Sequence, residues 1–176
     1  NPKDVLFVLV SYLPIPDKIG EMKTKPTQYA ARTLNSAGIN PDIIIARSSR
    51  PLDDPRKRKI SIFCNVQKED IISAPDADTV YEVPMIFESQ NLARRILSKF
   101  GLKARKKPAR NWTKLVKTIK TADNPVRIGV VGKYFSTGNF VLTDAYISVL
   151  EAIKHAAWHH SRRPEIVWMN AEEFEQ

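Results

Sequence analysis

An unbroken apolar run near the start of the chain, Val5 to Val10, constrains the fold more than any other stretch. A run of this length without polar alternation is typical of a strand that is covered on both faces, as in a parallel sheet. Asp42 to Ala46 and Asp70 to Ser73 also have the length and composition of short strands. Because helical patterns separate these runs, the sequence predicts an α/β fold with a parallel sheet.

The helical segments show ordinary start and stop signals. Thr27 to Leu34 has a helical pattern, and Gly38 predicts its C-terminal end. Glu88 to Phe100 has one apolar side and stops at Gly101. The segment between them that runs from Thr79 to Val83 is predicted to be a strand.

A basic run that contains a proline, Lys103 to Arg110, has no strand alternation and little helical face, so it predicts an interdomain linker. Trp112 to Ile119 follows as a short amphipathic helix. A second α/β unit then opens with a strand and a Gly-Lys-Tyr loop at Val126 to Tyr134. It continues with a helix from about Thr143 to His159 and a strand from Glu165 to Met169.

Composition narrows the class of protein. The chain is 43% hydrophobic and 27% charged, which fits a soluble globular protein, and no apolar run has the length of a membrane span. The single cysteine excludes an internal disulfide, so we expect a cytoplasmic protein. The chain starts at Asn1 without a methionine and stops at Gln176 in an acidic stretch, so we also expect a fragment.

The net charge of +9 is compatible with three classes of partner: nucleic acids, anionic membrane surfaces and phosphorylated small molecules. A basic α/β module that binds nucleic acid is therefore an alternative function. The basic run contains no cluster of aromatic side chains to stack on bases, which counts against this alternative.

A lysine motif precedes the first predicted helix. Lys23 and Lys25 alternate, so an extended backbone would point both to one side. Pro26 biases Lys25 toward that extended geometry. The hydroxyls of Thr24 and Thr27 are expected beside them at a helix N-terminus, where free N–H groups favour anions. The pattern predicts a polyphosphate site, and the other interpretation is a solvated turn with two ordinary surface lysines.

The hexapeptide Lys23 to Gln28, with a Gly-Glu pair just upstream, resembles the pyrimidine-nucleotide loop of the cytidine triphosphate (CTP) synthases. Further segments follow in the order and spacing of that family, and the resemblance covers nearly the whole chain. These segments are Pro41–Ser48, Lys59–Val66, Asp78–Pro84 and Ile128–Tyr134. The last resembles the first strand of the family's glutamine amidotransferase domain.

The resemblance implies a division into three parts. Residues 1–102 would be the C-terminal part of a P-loop-type, dethiobiotin-synthetase-like synthase domain with a parallel sheet. Residues 103–125 would be a linker. Residues 126–176 would form the first β-α-β unit of a class I, flavodoxin-like glutamine amidotransferase domain. It also implies a helix over about 54 to 64 that ends near Asn65, with Cys64 as a small buried hydrophobe.

The chemistry implied is that of a ligase of pyrimidine nucleotide biosynthesis. ATP phosphorylates the 4-oxygen of UTP, and ammonia from L-glutamine displaces that phosphate to give CTP. The family uses magnesium, is activated by GTP and forms dimers and tetramers, and neither nucleic acid nor membrane is an expected partner. The ATP phosphate loop, the magnesium ligands and the glutaminase Cys, His and Glu have no match here. We therefore expect no catalytic or metal-ligating residue in this chain and no turnover by it alone.

Two sets of binding residues carry over by position. The first set matches the loop that holds the triphosphate of UTP, and the product CTP competes for the same loop. It consists of Lys23, Thr24, Lys25, Pro26, Thr27, Gln28 and Lys59. The set matching the adenine site for ATP is Arg47, Pro75, Asp76 and Ala77. The family often has lysine and valine where this chain has Pro75 and Ala77, so only main-chain contacts to adenine are expected to persist there.

Overall fold

Two compact units make up the chain, Asn1–Pro108 and Ala109–Gln176. The structure, a computed structural model, describes residues 4–105, 110–132, 136–137, 140–141 and 146–171. Both units combine helices with parallel strands, which confirms the predicted α/β class. None of the helices in these ranges is long and apolar enough to cross a membrane.

The first unit alternates strands and helices. Its elements, in chain order, are β1 (Val8–Tyr12), α1 (Lys25–Ser36), β2 (Ile43–Ser48), α2 (Asp54–Cys64), β3 (Ile71–Pro75), α3 (Val83–Ser89) and α4 (Leu92–Lys99). The strands form a parallel sheet in the order β1-β2-β3, in which Leu9 lies opposite Ile44 and Ile44 opposite Ile71. Single 3-10 turns at Lys68–Asp70 and Val80–Glu82 precede β3 and α3.

The core lies on both faces of the central strand. Successive side chains of a strand point to opposite faces, and Ile43 and Ile44 are both fully buried. Ile44 packs with Ile60 of α2 and Ala31 of α1 on one face. Ile43 packs with Leu92 of α4 and with α3 on the other. The first unit is thus a sheet between two helix layers, as expected for parallel strands.

The prediction that Val5 to Val10 is covered on both faces is wrong. The strand is shifted to Val8–Tyr12 and lies at an edge of the sheet. Val8, Val10 and Tyr12 share one face, and Val10 is 62% exposed. The reason is that α3 packs against β3 at the opposite edge, so no described helix covers that face of β1.

The segment from Thr79 to Phe100 also differs from the prediction. Thr79 to Val83 forms a 3-10 turn rather than a strand, and Pro84 occupies the first turn of α3, where its missing N–H is tolerated. The single helix predicted from Glu88 to Phe100 is two helices. Asn91 has a φ of +59°, a left-handed conformation that asparagine tolerates, and it separates α3 from α4.

Gln90 lies at this break, and its side chain hydrogen-bonds to the main chain of β3 at the edge of the sheet. Its side-chain carbonyl accepts from Ser73 N–H at 2.8 Å, and its amide donates to Ser73 C=O at 2.7 Å. Both main-chain groups of an edge residue are therefore satisfied by one side chain, which blocks further strand pairing at that position.

Helix α2 has the predicted bounds. Asp53 caps it by accepting from Arg56 N–H at 3.0 Å, Pro55 occupies the first turn, and Asn65 ends it with a φ of +53°. Cys64, in the last turn, is 1% exposed, which confirms it as a buried hydrophobe.

Burial raises the pKa of the Cys64 thiol, so we expect slow reaction with thiol reagents in the native protein. The raised folded-state pKa means that stability is full below the unfolded thiol pKa and declines as pH rises through the folded value. Reaction of the thiol with a chromogenic disulfide, followed at increasing denaturant, should accelerate in step with unfolding. A fast native reaction independent of denaturant would contradict this burial.

The second unit contains α5 (Arg110–Thr121), β4 (Pro125–Gly132), β5 (Ser136–Thr137), β6 (Phe140–Val141), α6 (Ile147–His159) and β7 (Arg163–Asn170). Strands β4 and β7 are parallel and α6 lies between them in the chain, while β5 and β6 pair antiparallel. The predicted positions Lys133, Tyr134 and 143–145 lie outside the described residues. Helix α5 contains the predicted Trp112 to Ile119 and packs on α6.

Candidate anion-binding cleft

A cleft of about 600 Å³ opens where the loop before α1 meets the start of α2. The two helices pack side by side on one face of the sheet, which places their N-terminal parts together. Its lining residues are Glu21, Met22, Lys23, Thr24, Lys25, Pro55, Arg56 and Lys59. The structure therefore brings together Lys23, Lys25 and Lys59 from two separate stretches of sequence.

The backbone of the lysine motif is not extended as expected. Thr24 is the N-cap of α1, with φ −95° and ψ −14°, and Lys25 is already in the helix. Pro26 falls in the first turn, where a helix does not need its N–H. The helix begins two residues earlier than predicted, and the two lysines nonetheless border the same cleft.

The threonine hydroxyls already have partners. Thr27 is fully buried, and its hydroxyl accepts from the Ser11 hydroxyl of β1 at 2.9 Å, so it does not face the cleft as the sequence suggested. The Thr24 hydroxyl accepts from the Gln28 side-chain amide at 3.0 Å and makes no capping hydrogen bond with a main-chain N–H of α1. The first N–H groups of α1 are therefore not capped by this side chain.

The lysines differ in their pairing. Lys23 donates to the Glu21 carboxylate at 2.7 Å, and this hydrogen bond lowers the pKa of Glu21, assisted by the nearby charges of Lys23, Arg56 and Lys59. Lys25 and Lys59 are exposed, and neither has an ion pair with any residue in the described ranges. These two ammonium groups are consequently available to an anion that enters the cleft.

Arg56 is a fourth cation of the cleft, and it was not among the predicted site residues. Its Nε donates to the Met22 carbonyl at 3.1 Å, its Nη1 pairs with the Asp53 carboxylate, and its Nη2 lies 3.5 Å from Glu21. The signal was available, because Arg56 is three residues before Lys59 and such residues share one face of a helix.

A second predicted set gathers at the C-terminal ends of β2 and β3. Arg47 donates to the carbonyls of Ala74 at 3.2 Å and Pro75 at 3.4 Å, and it pairs with the Asp76 carboxylate at 2.9 Å. Ala77, the next residue, is partly buried. Ligands of open α/β sheets bind at this end of the strands, so the position suits a ligand contact.

Potential metal ligands do not cluster in the part of the chain that the structure describes. Within residues 4–105, 110–132, 136–137, 140–141 and 146–171, no three His, Cys, Asp or Glu side chains come together as a metal site requires.

The layered parallel sheet and the order of its elements define an α/β protein with a cationic cleft at helix N-termini. The family model described as CTP synthase N-terminus matches residues 1–102. The chain belongs to this family.

Individual relatives match over almost the whole chain. CTP synthase of Thermococcus gammatolerans is 41% identical over 174 residues, which are 99% of this chain and 32% of the relative. That of Methanothermobacter thermautotrophicus is 41% identical over 172 residues, 97% of this chain and 31% of the relative. That of Methanopyrus kandleri is 42% identical over 173 residues, which are 98% of this chain and 31% of the relative. The chain spans about a third of the length of these relatives.

Proposed function

We propose that this chain is part of an ATP-dependent, glutamine-hydrolysing CTP synthase and that its cleft holds the triphosphate of UTP, or of CTP as competing product. The observation that carries the proposal is the convergence of Lys23, Lys25 and Lys59 on one cleft at the N-terminal end of α1. Family membership and relatives named CTP synthase support it.

The binding chemistry follows from charge. A triphosphate carries several negative charges, and lysines neutralise them as point charges without demanding one geometry. The uncapped N–H groups of α1 and the positive end of its dipole add to this attraction. Thr27, whose hydroxyl is buried, offers its main-chain N–H, while Thr24, Pro26 and Gln28 form the N-cap and first turn of α1.

The adenine of ATP is assigned to the turn at Pro75, Asp76 and Ala77. Arg47 donates to the carbonyls of Ala74 and Pro75 and pairs with the Asp76 carboxylate, and it thereby holds the turn at the strand ends. Adenine recognition by the main-chain groups of 76 and 77 tolerates the Pro75 and Ala77 departures from the family pattern.

The rest of the proposal concerns the whole protein. Residues 1–102 belong to the P-loop-type synthase domain, 103–125 to a linker and 126–176 to the start of the glutamine amidotransferase domain. The parallel β4-α6-β7 unit supports the last assignment. We further propose a cytoplasmic homotetramer that uses magnesium and responds to GTP, with the catalytic groups and metal ligands outside this chain.

Calorimetric titration of the full-length protein with UTP and with a short RNA, each at 50 and 300 mM salt, tests the proposal. We expect UTP to bind at both salt concentrations and RNA binding to be weak and lost at the higher one, since non-specific RNA contacts depend steeply on salt. Tight RNA binding without UTP binding would instead favour the nucleic-acid module.

A further inference from the structure

Glu21 is an acidic residue within an otherwise cationic cleft. Its carboxylate lies between two cations, 2.7 Å from Lys23 Nζ and 3.5 Å from Arg56 Nη2. Its side chain is 55% exposed, so no packing holds the carboxylate in this position. Attraction to the two cations is what places it there.

Arg56 is held in place independently of Glu21. Its Nε donates to the Met22 carbonyl, and its Nη1 pairs with Asp53, the cap of α2. Only Nη2 faces Glu21, through a long contact of 3.5 Å. An arginine with two fixed anchors and one loosely paired amino group is preorganised to bind a second acidic group.

We propose that Glu21 is an internal counter-ion that occupies the place of a ligand phosphate between Lys23 and Arg56, and that Arg56 binds phosphate once the carboxylate leaves. The inference rests on the proposed function, because it takes the ligand to be a nucleotide triphosphate. A phosphate and a carboxylate offer the same kind of oxygen acceptor, and both cannot occupy one pair of cations. Glu21 therefore sets the affinity of the site by competing with the ligand.

The two residues have effects of opposite sign. Glu21→Gln keeps the size of the side chain but removes the competing charge, so UTP and inorganic tripolyphosphate should bind roughly two- to fivefold more tightly, as expected for an exposed ion pair. Arg56→Gln should weaken binding of both ligands by roughly tenfold, the loss of one charged hydrogen bond. Arg58→Gln, on the same helix but outside the cleft, should change neither.

The test is a calorimetric titration of the full-length protein and these variants with UTP, tripolyphosphate and uridine, with EDTA and then with magnesium. Thermal melts verify folding of every variant. We expect Glu21→Gln to bind UTP and tripolyphosphate more tightly than the wild type, both with EDTA and with magnesium. Arg56→Gln should bind them more weakly, and neither substitution should change the affinity for uridine.

Two results would overturn this inference but leave the proposed function intact. Weaker binding by Glu21→Gln would mean that the carboxylate positions Lys23, and weaker binding only with magnesium would mean that it carries the metal of the nucleotide. In both cases the wild-type protein still binds UTP, and the double substitution Lys25→Gln with Lys59→Gln still weakens that binding. Failure of the wild-type protein to bind UTP or tripolyphosphate would overturn the proposed function as well.

Discussion

Replacing both free lysines of the cleft, as Lys25→Gln with Lys59→Gln, is expected to weaken UTP binding by about 100-fold or more. Each lysine is exposed, lines the cleft and has no ion pair within the described ranges, so its charge is available to the ligand. A hydrogen bond to a charged group contributes about 1.5–3 kcal/mol, and two such losses give this change. The measurement is the dissociation constant for UTP in the full-length protein.

The matched control is Lys18→Gln with Lys117→Gln. Both lysines are exposed and lie outside the cleft, and the double variant lowers the net charge by the same amount. We expect less than about a threefold change in the dissociation constant, because neither side chain lines the cleft and exposed charges without a direct contact are screened by salt. Equal weakening by both double variants would show that overall charge, rather than the cleft, binds the nucleotide.

Ile44→Ala is expected to lower the free energy of unfolding by about 2–5 kcal/mol. Ile44 is fully buried in β2, the central strand of the sheet, where it is paired with Leu9 and Ile71 and packed under α1 and α2. Truncation there removes apolar burial and leaves a cavity that neighbouring elements cannot close. The loss is measured by chemical denaturation of the full-length protein, from the unfolding transition of the domain that contains Ile44.

Ile62→Ala provides the control for that substitution. Ile62 lies on α2 and is 77% exposed, so the same truncation removes little burial and should change stability by less than about 0.5 kcal/mol. A loss at Ile44 no larger than the loss at Ile62 would contradict the placement of the core.

The elements fixed by local chemistry could be predicted from sequence. The runs Asp42 to Ala46 and Asp70 to Ser73 have the composition of strands, and β2 and β3 lie there. The bounds of α2 were implied by the family resemblance rather than by local chemistry. The prediction failed where the outcome depended on neighbours. The exposure of β1 results from its edge position, and the break at Asn91 accompanies the hydrogen bonds of Gln90 to Ser73 of β3. No local pattern contains that information.

The cleft residues also divide into those that local sequence indicates and those whose position depends on neighbouring elements. Lys23 and Lys25 stand in one motif, and Lys59 was assigned through family resemblance. The spacing of Arg56 from Lys59 places both on one face of α2, but only the packing of α2 against the loop brings the Arg56 guanidinium to the Met22 carbonyl. The Thr27 hydroxyl was misplaced for a related reason, since its burial depends on contact with Ser11 of β1.

The central claim is that the cleft between the loop before α1 and the start of α2 holds the phosphates of a pyrimidine nucleotide. A crystal structure of the full-length protein with bound UTP tests it most directly. The account predicts phosphate oxygens within hydrogen-bond distance of the Lys25 and Lys59 ammonium groups. A nucleotide bound elsewhere, with this cleft empty and Lys25 and Lys59 directed to solvent, would contradict it.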